Sequence, residues 1–268
     1  MSTVIAIANQ KGGVGKTTSA VSLSAELAIM GRKILLVDFD PQGSASSGLG
    51  VELPEEGKDI YDMFFDKVSL ADIIRPSSIE RLSVAPASRD LVGLEIELGK
   101  RPGRELILKT EINLLRTSYD YILIDCPPSS GLLTLNALGA ADKIVIPLQA
   151  EYYALEGITA LMNTIQFVQQ TFNPQLAVLG IFLTMFDART NLSTQVQREA
   201  LNFFGDLVFP TVIPRNIRLS ECPSHALPIC LYDPSSAGAT AYHSLALEID
   251  ERCAERGDSL KEKLAVNS

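Results

Sequence analysis

Three glycines, two lysines and two threonines share one short segment, Asn9-Gln-Lys-Gly-Gly-Val-Gly-Lys-Thr-Thr18, which directly follows an apolar run at residues 4–8. A strand that turns into a helix through glycines leaves backbone N–H groups unpaired at the positive end of the helix dipole, where they can hold an anion. Within such a loop, Lys16 can place its ammonium on β- and γ-phosphates, and the Thr17 hydroxyl can ligate Mg²⁺. The segment therefore predicts a polyphosphate-binding loop.

Two aspartates follow the next apolar run, in the segment Leu36-Val-Asp-Phe-Asp-Pro-Gln-Gly43. Open α/β sheets bind ligands at the carboxyl ends of their parallel strands, so Asp38 and Asp40 would stand where a ligand binds. A carboxylate there can orient an attacking water or hold the hydration shell of a metal ion. The pattern Asp-x-Asp-Pro is also a common strand-end turn, and its place beside a phosphate loop is what favours the chemical interpretation.

An apolar strand that ends in aspartate occurs once more, in Tyr121-Ile-Leu-Ile-Asp-Cys-Pro-Pro128. This is the form of a Walker B strand, in which the aspartate accepts hydrogen bonds from Mg²⁺-bound water and from the loop threonine. We therefore predict that Asp125 belongs to the outer shell of a Mg²⁺ ion whose direct protein ligand is Thr17.

Taken together, these motifs resemble those of the ParA/Soj partition ATPases, within the wider class of ParA, MinD and nitrogenase-iron-protein ATPases. The loop departs from the general pattern at Gln10, where most phosphate loops have glycine, and it carries the additional lysine of this class at Lys11. The resemblance runs from about residue 3 to residue 246. Three later segments narrow it to the ParA/Soj branch: Met185-Phe-Asp-Ala-Arg-Thr-Asn191, Ile213-Pro-Arg-Asn216 and Leu219-Ser-Glu-Cys-Pro-Ser224.

The resemblance implies a P-loop ATPase that uses ATP and Mg²⁺ and forms a homodimer around two nucleotides when ATP is bound. Lys11 would contact the partner's phosphates, with the logic of an arginine finger, while Lys16 holds the nucleotide of its own protomer. Asp40 would hold the hydrolytic water, which makes Lys11, Lys16 and Asp40 the predicted catalytic residues. The predicted nucleotide contacts are Lys11, Gly12, Gly13, Val14, Gly15, Lys16, Thr17 and Thr18, with Pro214 and Asn216 near adenine.

The resemblance also implies nonspecific binding of double-stranded DNA by the ATP-bound dimer, and stimulation of hydrolysis by a ParB-like activator. The DNA-binding candidates are Arg189, Arg215 and Arg218, with Arg198 as a further arginine of the same region. Nearby acidic residues balance these arginines in the sequence, so solvated arginines on an ordinary surface are the alternative. Where close relatives often carry basic residues after Tyr232-Asp-Pro234, this chain has none, and we expect weak DNA binding.

Composition limits the classes of partner. The chain of 268 residues has a formal charge of −9, which argues against a globally basic nucleic-acid-binding protein and confines any DNA site to a local patch. Its four cysteines lack C-x-x-C spacing and are expected to be reduced thiols. No apolar run approaches the roughly 20 residues that span a bilayer, and the first residues do not resemble a signal peptide. We expect a cytoplasmic, nucleoid-associated protein without membrane contact.

Three other functions share parts of this pattern. A MinD-like membrane ATPase would need a C-terminal amphipathic helix with a basic face, whereas residues 251–264 have mixed charge and few large apolar groups. A redox protein of the iron-protein type would need suitably spaced cysteines at a shared interface. A ParA-like ATPase that positions another cargo fits the same motifs, because the partner chooses the cargo.

All these residues need a scaffold of parallel strands. Apolar runs recur at residues 4–8, 34–37, 82–85, 121–124, 144–147, 178–183 and 208–213. Strands this apolar, alternating with helices, predict an α/β fold with a doubly wound, mostly parallel sheet flanked by helices. The first helix is expected over residues 17–30, closed by Gly31, and the last over residues 237–256. We predict one ATPase domain at residues 1–256, with short helices over 51–109, and a polar tail at 257–268 that frays.

Overall fold

The computed structural model describes residues 2–52, 58–65, 67–151 and 154–265, and for residues 154–156 and 256–265 it describes the backbone alone. Seven strands form one sheet: β1 (Thr3–Ile7), β2 (Ile34–Asp38), β3 (Arg75–Pro76), β4 (Leu82–Ala85), β5 (Tyr121–Asp125), β6 (Lys143–Gln149) and β7 (Ala177–Thr184). Their order is β3-β4-β2-β5-β1-β6-β7, and every pair is parallel except β3 with β4. The predicted mostly parallel α/β sheet is confirmed.

Helices connect the strands and cover the sheet. They are α1 (Lys16–Ile29), α2 (Ser44–Gly48), α3 (Ile60–Phe64), α4 (Leu70–Ile73), α5 (Leu94–Leu98), α6 (Ile107–Leu115), α7 (Leu132–Ala140), α8 (Ala154–Thr171), α9 (Asn191–Phe204), α10 (Arg218–Glu221), α11 (Ile229–Tyr232) and α12 (Ala237–Ala265). Single 3₁₀ turns occur at Arg89–Val92, Arg104–Leu106, Gly205–Leu207 and Cys222–His225. The region 51–109 holds the expected short helices, together with strand β4 and the edge strand β3.

Both faces of the sheet are buried, because alternate residues of each strand belong to two different apolar clusters. In β1, Val4 and Ala6 join one cluster, whereas Ile5 and Ile7 join the other. Successive side chains of a strand point to opposite faces, and a parallel sheet covered on both faces is apolar on both. The first cluster includes residues of α6, α7 and α8, and the second includes residues of α1 and α12.

Helix α1 agrees with its predicted bounds to within one residue at each end. Its closing residue, Gly31, has φ +91° and donates its N–H to the Ala28 carbonyl at 2.9 Å, so the predicted glycine closure is confirmed. Helix α1 packs on α12, where the Ser19 and Tyr242 hydroxyls are 2.9 Å apart. The helix that follows the phosphate loop is thereby fixed against both the sheet and the C-terminal helix.

The predicted strand at residues 208–213 is wrong. The segment runs beside β7 but makes only isolated bridges, at Val208 and Pro214. Pro210 and Pro214 have no N–H to donate, and a continuous ladder of hydrogen bonds cannot form across them. The segment still covers the edge of β7, because Phe209 donates its N–H to the Ile181 carbonyl at 2.8 Å.

The predicted end of the last helix at residue 256 is also wrong. Helix α12 continues to Ala265, through the region expected to fray. Gly257 costs only about 1 kcal/mol relative to alanine inside a helix, and the segment contains no proline to stop it. Residues 266–268, the end of the predicted tail, lie outside the described residues.

Two expectations from composition can be compared with this fold. The four cysteines form no disulfide bond with one another, and two of them, Cys126 and Cys222, are buried. Among the described residues, no helix combines the length and apolar character required to cross a membrane.

Candidate functional site

The loop between β1 and α1 has the backbone that its glycines suggest. Gly13 has φ +74°, and Gly15 has φ +90° as the residue that precedes α1. Such left-handed conformations are costly for residues with a Cβ atom. Among the described residues, no side chain caps the N-terminus of α1, so its first N–H groups are available to a ligand with negative charge.

Three side chains hold this loop against the sheet. Asn9 donates its amide to the Pro147 carbonyl of β6 at 2.8 Å and accepts the Lys11 N–H at 3.0 Å. Thr184, at the end of β7, donates its hydroxyl to the Val14 carbonyl at 2.8 Å. Gln10, on the outer side, donates to the Thr164 hydroxyl of α8 at 3.0 Å. These contacts fix the shape of the cradle within the protein itself.

Lys16 lies inside this cradle. The residue is only 6% exposed, and its ammonium donates to the Lys11 carbonyl oxygen at 3.1 Å. Burial lowers the pKa of the Lys16 ammonium, while Asp125 raises it. An ammonium has three donors, and the Lys11 carbonyl accepts from one of them. A buried cation with donors to spare is suited to a polyphosphate.

Two aspartates face each other at the carboxyl edge of the sheet. Asp38 and Asp125 are register partners on β2 and β5, and both are fully buried. One Asp38 oxygen, Oδ2, accepts from the Ser46 N–H at 2.8 Å and from its hydroxyl at 2.7 Å. Among the described residues, Oδ1 of Asp38 and both oxygens of Asp125 have no hydrogen-bond partner.

The electrostatics of this pair follow from burial. Desolvation raises the pKa of Asp38 to about 6, although the hydrogen bonds from Ser46 act in the opposite direction. Desolvation also raises the pKa of Asp125 well above its ordinary value, and the Asp38 carboxylate raises it further. The nearby Thr17 hydroxyl and Lys16 ammonium lower it, although the Thr17 hydroxyl does not reach hydrogen-bonding geometry with either Asp125 oxygen. Buried carboxylate oxygens without partners are costly, and a bound cation with its water would satisfy them.

The donor set at this edge fits a magnesium ion. Carboxylate and hydroxyl oxygens are the groups that Mg²⁺ prefers, and Asp125 and Thr17 supply them side by side. The described residues contain no cluster of three or more His, Cys, Asp or Glu residues able to hold a metal directly. Mg²⁺ usually keeps several waters and binds through one or two protein groups plus phosphate oxygens, so a site this sparse in protein ligands suits it.

Asp40 is partly exposed at the mouth of the cradle. Its Oδ1 accepts the Gln42 N–H at 3.0 Å, and the side chain lines a cavity of about 350 Å³ with Glu95, Pro128 and other residues. Asp40 raises the pKa of Asp125, which places its carboxylate near the buried pair. It is thus open to water and close to the site predicted for phosphate, as a water-orienting group must be.

A second cavity, of about 380 Å³, adjoins the loop on the other side. Gly15 and Thr18 of the loop line it, and so do Pro214 and Asn216. The structure therefore brings the two predicted adenine residues to the phosphate loop from about 200 positions further along the chain.

The predicted DNA-binding arginines are exposed, and two of the three are paired with carboxylates. Arg189 is exposed but forms an ion pair with Asp187 at 2.8 Å. Arg218 contacts Glu221 at 2.9 Å and Asp233 at 3.3 Å. Arg215 is exposed, lines a surface cavity together with Arg189, and has no ion pair with any described residue. Arg198 is exposed on α9.

Sequence reasoning missed some residues that complete the site. Glu151 contacts Lys11, and Ser46 contacts Asp38. Ser46 lies eight positions after its partner, and Glu151 lies 140 positions after Lys11, so neither spacing is a known motif. A search for polar residues that follow the apolar run of β6 could have marked Glu151 as a neighbour of the loop.

Comparison with known proteins agrees with this geometry. A protein-family model described as an AAA domain matches residues 2–178. The sporulation initiation inhibitor protein Soj of Bacillus subtilis is 54% identical, over 93% of this chain and 98% of that protein. The chromosome-partitioning ATPase Soj of Treponema pallidum is 50% identical, over 96% and 100% of the two chains. One similar solved structure is that of cobyrinic acid a,c-diamide synthase from Mycobacterium smegmatis with bound ATP analogue and magnesium. Its TM-score is 0.79 and its sequence identity is 37%, and the match covers 92% of this chain and 93% of that one.

Proposed function

This chain belongs to the Soj/ParA family of chromosome-partitioning ATPases. On that premise we propose that it dimerises with ATP and binds DNA without sequence preference. We also propose that it hydrolyses ATP when a ParB-like partner stimulates it. Its role would be in segregating a chromosome or plasmid. The observation that carries the proposal is the buried Lys16 beside Asp125, whose carboxylate oxygens have no hydrogen-bond partner among the described residues, behind a glycine loop at a helix N-terminus.

The residues of the cradle divide the work of hydrolysis. Lys16 and the loop N–H groups would hold the phosphates of ATP. Thr17, with Asp125 as an outer-shell residue, would hold Mg²⁺, which would supply positive charge to the phosphate groups. Asp40 orients a water molecule in line with the γ-phosphate. Thr18, Pro214 and Asn216 border the space for the nucleoside.

Lys11 couples hydrolysis to dimer formation. Its side chain is 35% exposed at the surface of the loop, where a second protomer can approach. An ammonium supplied by the partner stabilises the charge of the transferring phosphoryl group only in the dimer. Dimerisation also doubles the number of arginines that one surface offers to DNA phosphates, which makes DNA binding depend on ATP.

The test is a titration of unrelated labelled duplexes with the full chain in ATP or ADP, with molecular mass followed by light scattering. We expect dimers and duplex binding with ATP alone. Lys11→Ala should bind nucleotide yet stay monomeric and fail to bind DNA, whereas Asp40→Ala should give a persistent dimer with little hydrolysis. A wild-type protein that stays monomeric with ATP would contradict the proposal. Binding of the ATP form to anionic vesicles instead of DNA would support the MinD-like alternative.

A further inference from the structure

Lys11 is held by its own protomer. Its ammonium lies 2.9 Å from Oε2 of Glu151, in a pair that joins the phosphate loop to the segment after β6. The two side chains are 35% and 47% exposed. While this ion pair is formed, one donor of the Lys11 ammonium is directed at a carboxylate of the same chain, which competes with the phosphates of a partner for that lysine.

Glu151 is itself kept in place. Gln149, the last residue of β6, donates its side-chain amide to Oε1 of Glu151 at 2.5 Å. The two Glu151 oxygens therefore have separate donors, Gln149 on one and Lys11 on the other. A carboxylate held on a rigid strand end fixes its lysine more firmly than a freely rotating one would, because less side-chain entropy is lost.

The nucleotide lysine contacts the same residue. Lys16 donates to the Lys11 carbonyl at 3.1 Å, so the backbone of Lys11 is bound from inside the cradle while its side chain is bound from outside. Phosphate groups in the cradle would draw the Lys16 ammonium away from that carbonyl, because a charged acceptor forms the stronger hydrogen bond. Occupation of the cradle thus removes one of the contacts that hold Lys11 in this position.

We propose that Glu151 is a positioning residue that keeps Lys11 turned toward its own protomer and so sets the protein concentration at which ATP produces a dimer. This inference rests on the proposed function, because it assumes that Lys11 acts across a dimer interface. Each protomer must break its Lys11–Glu151 ion pair when the dimer forms. The ion pair therefore opposes dimerisation of protomers that carry no ATP.

The experiment measures the monomer–dimer dissociation constant with ATP for wild type and Glu151→Gln. Asp40→Ala is placed in both backgrounds to suppress hydrolysis. We expect Glu151→Gln to lower the dissociation constant of the dimer by about two- to tenfold, because an exposed ion pair is weak and two are released per dimer. In Glu151→Gln, the nucleotide affinity of the monomer and the melting temperature should stay unchanged. If Glu151 only stabilised the fold, both quantities would change. Raising the salt concentration should narrow the difference.

The matched control is Glu80→Gln, which removes the same charge from a 92% exposed side chain between β3 and β4. It should leave the dissociation constant as in wild type. An unchanged or raised dissociation constant in Glu151→Gln, with wild type dimerising normally, would overturn the role given to Glu151. If neither protein dimerises with ATP, the proposed function itself fails, and the two failures are distinguishable.

Discussion

Two regions of this molecule carry concentrated charge, and they satisfy it in opposite ways. At the carboxyl edge of the sheet, Asp125 and Lys16 are buried, and both Asp125 oxygens lack a hydrogen-bond partner among the described residues. In the region after β7, Arg189 and Arg218 are exposed and already paired with carboxylates of the same chain. Buried charge without partners points to a ligand, since its desolvation is costly unless something binds there, whereas exposed paired charge costs little and indicates much less.

The largest effect should come from the buried region. Lys16→Ala removes the cation that we propose to contact the phosphates. Charge-assisted hydrogen bonds contribute about 1.5–3 kcal/mol each, so ATP affinity should fall about a thousandfold or more. Equilibrium titration with a fluorescent ATP analogue measures it. Lys100→Ala, at an exposed position outside the loop, is the control and should bind normally. Normal affinity in Lys16→Ala would show that the buried cation is structural, and the contrast between the two regions would not hold.

A stability measurement sharpens the same contrast. The pKa of Asp38, about 6, is above its value in an unfolded chain, so the folded protein binds more protons between about pH 4 and 6. The free energy of unfolding should therefore fall as pH rises through this window. Asp38→Asn keeps an acceptor for Ser46 and removes the buried charge, and it should stabilise the protein without nucleotide at pH 7 by about 1–3 kcal/mol.

Urea denaturation between pH 4 and 7.5 is the measurement for Asp38→Asn. The exposed Asp206→Asn substitution serves as the control and should change neither the stability at pH 7 nor its slope with pH. If Asp38→Asn is instead less stable than wild type at pH 7, the ionised carboxylate is satisfied in the fold, and the buried edge is not poised for a ligand.

The smallest effects are expected for substitutions of the exposed arginines. They test whether an ion pair within the chain reduces the contribution of an arginine to DNA binding. Arg215→Glu should weaken ATP-dependent binding of any duplex several-fold and reduce the slope of log affinity against log salt by about 0.9 for each DNA phosphate that is no longer neutralised. Arg218→Glu should have a smaller effect, because Glu221 and Asp233 already compete with DNA for that guanidinium. Equal effects of the two variants would mean that DNA displaces these carboxylates easily, and affinity unchanged in both would remove this surface from DNA binding.

The two regions also differ in how far the sequence predicts them. The phosphate loop is predictable because its glycines, Lys16 and Thr17 lie within ten consecutive positions and each residue type is required by local geometry. Asp38 and Asp125 are predictable as strand ends. The ion pair of Arg218 with Glu221 follows from helical spacing, but its contact with Asp233 depends on how the loops pack.

The errors in the predicted fold also arise where the outcome depends on hydrogen bonding and packing that a local sequence pattern does not describe. The apolar composition of residues 208–213 suggests a strand. Pro210 interrupts the backbone hydrogen bonds of that segment, and an apolar composition alone does not show this. The edge strand β3 spans two residues, Arg75–Pro76, and has no periodic pattern to detect. The pair of Lys11 with Glu151 spans 140 positions, and only the order of strands in the sheet brings the two together.

The strand order has a consequence for how the protein is made. β1 lies between β5 and β6, and Thr3 pairs with Tyr121 about 120 residues further along the chain. A ribosome that adds roughly 5–20 residues per second needs on the order of ten seconds to synthesise the residues between them. Throughout that interval, the nascent β1 is an apolar segment without its partners. The glycine loop that follows it can take its final shape only after β6 and β7 have emerged to supply Pro147 and Thr184. The phosphate loop is therefore completed only after roughly two-thirds of the 268 residues have been made, long after its own residues.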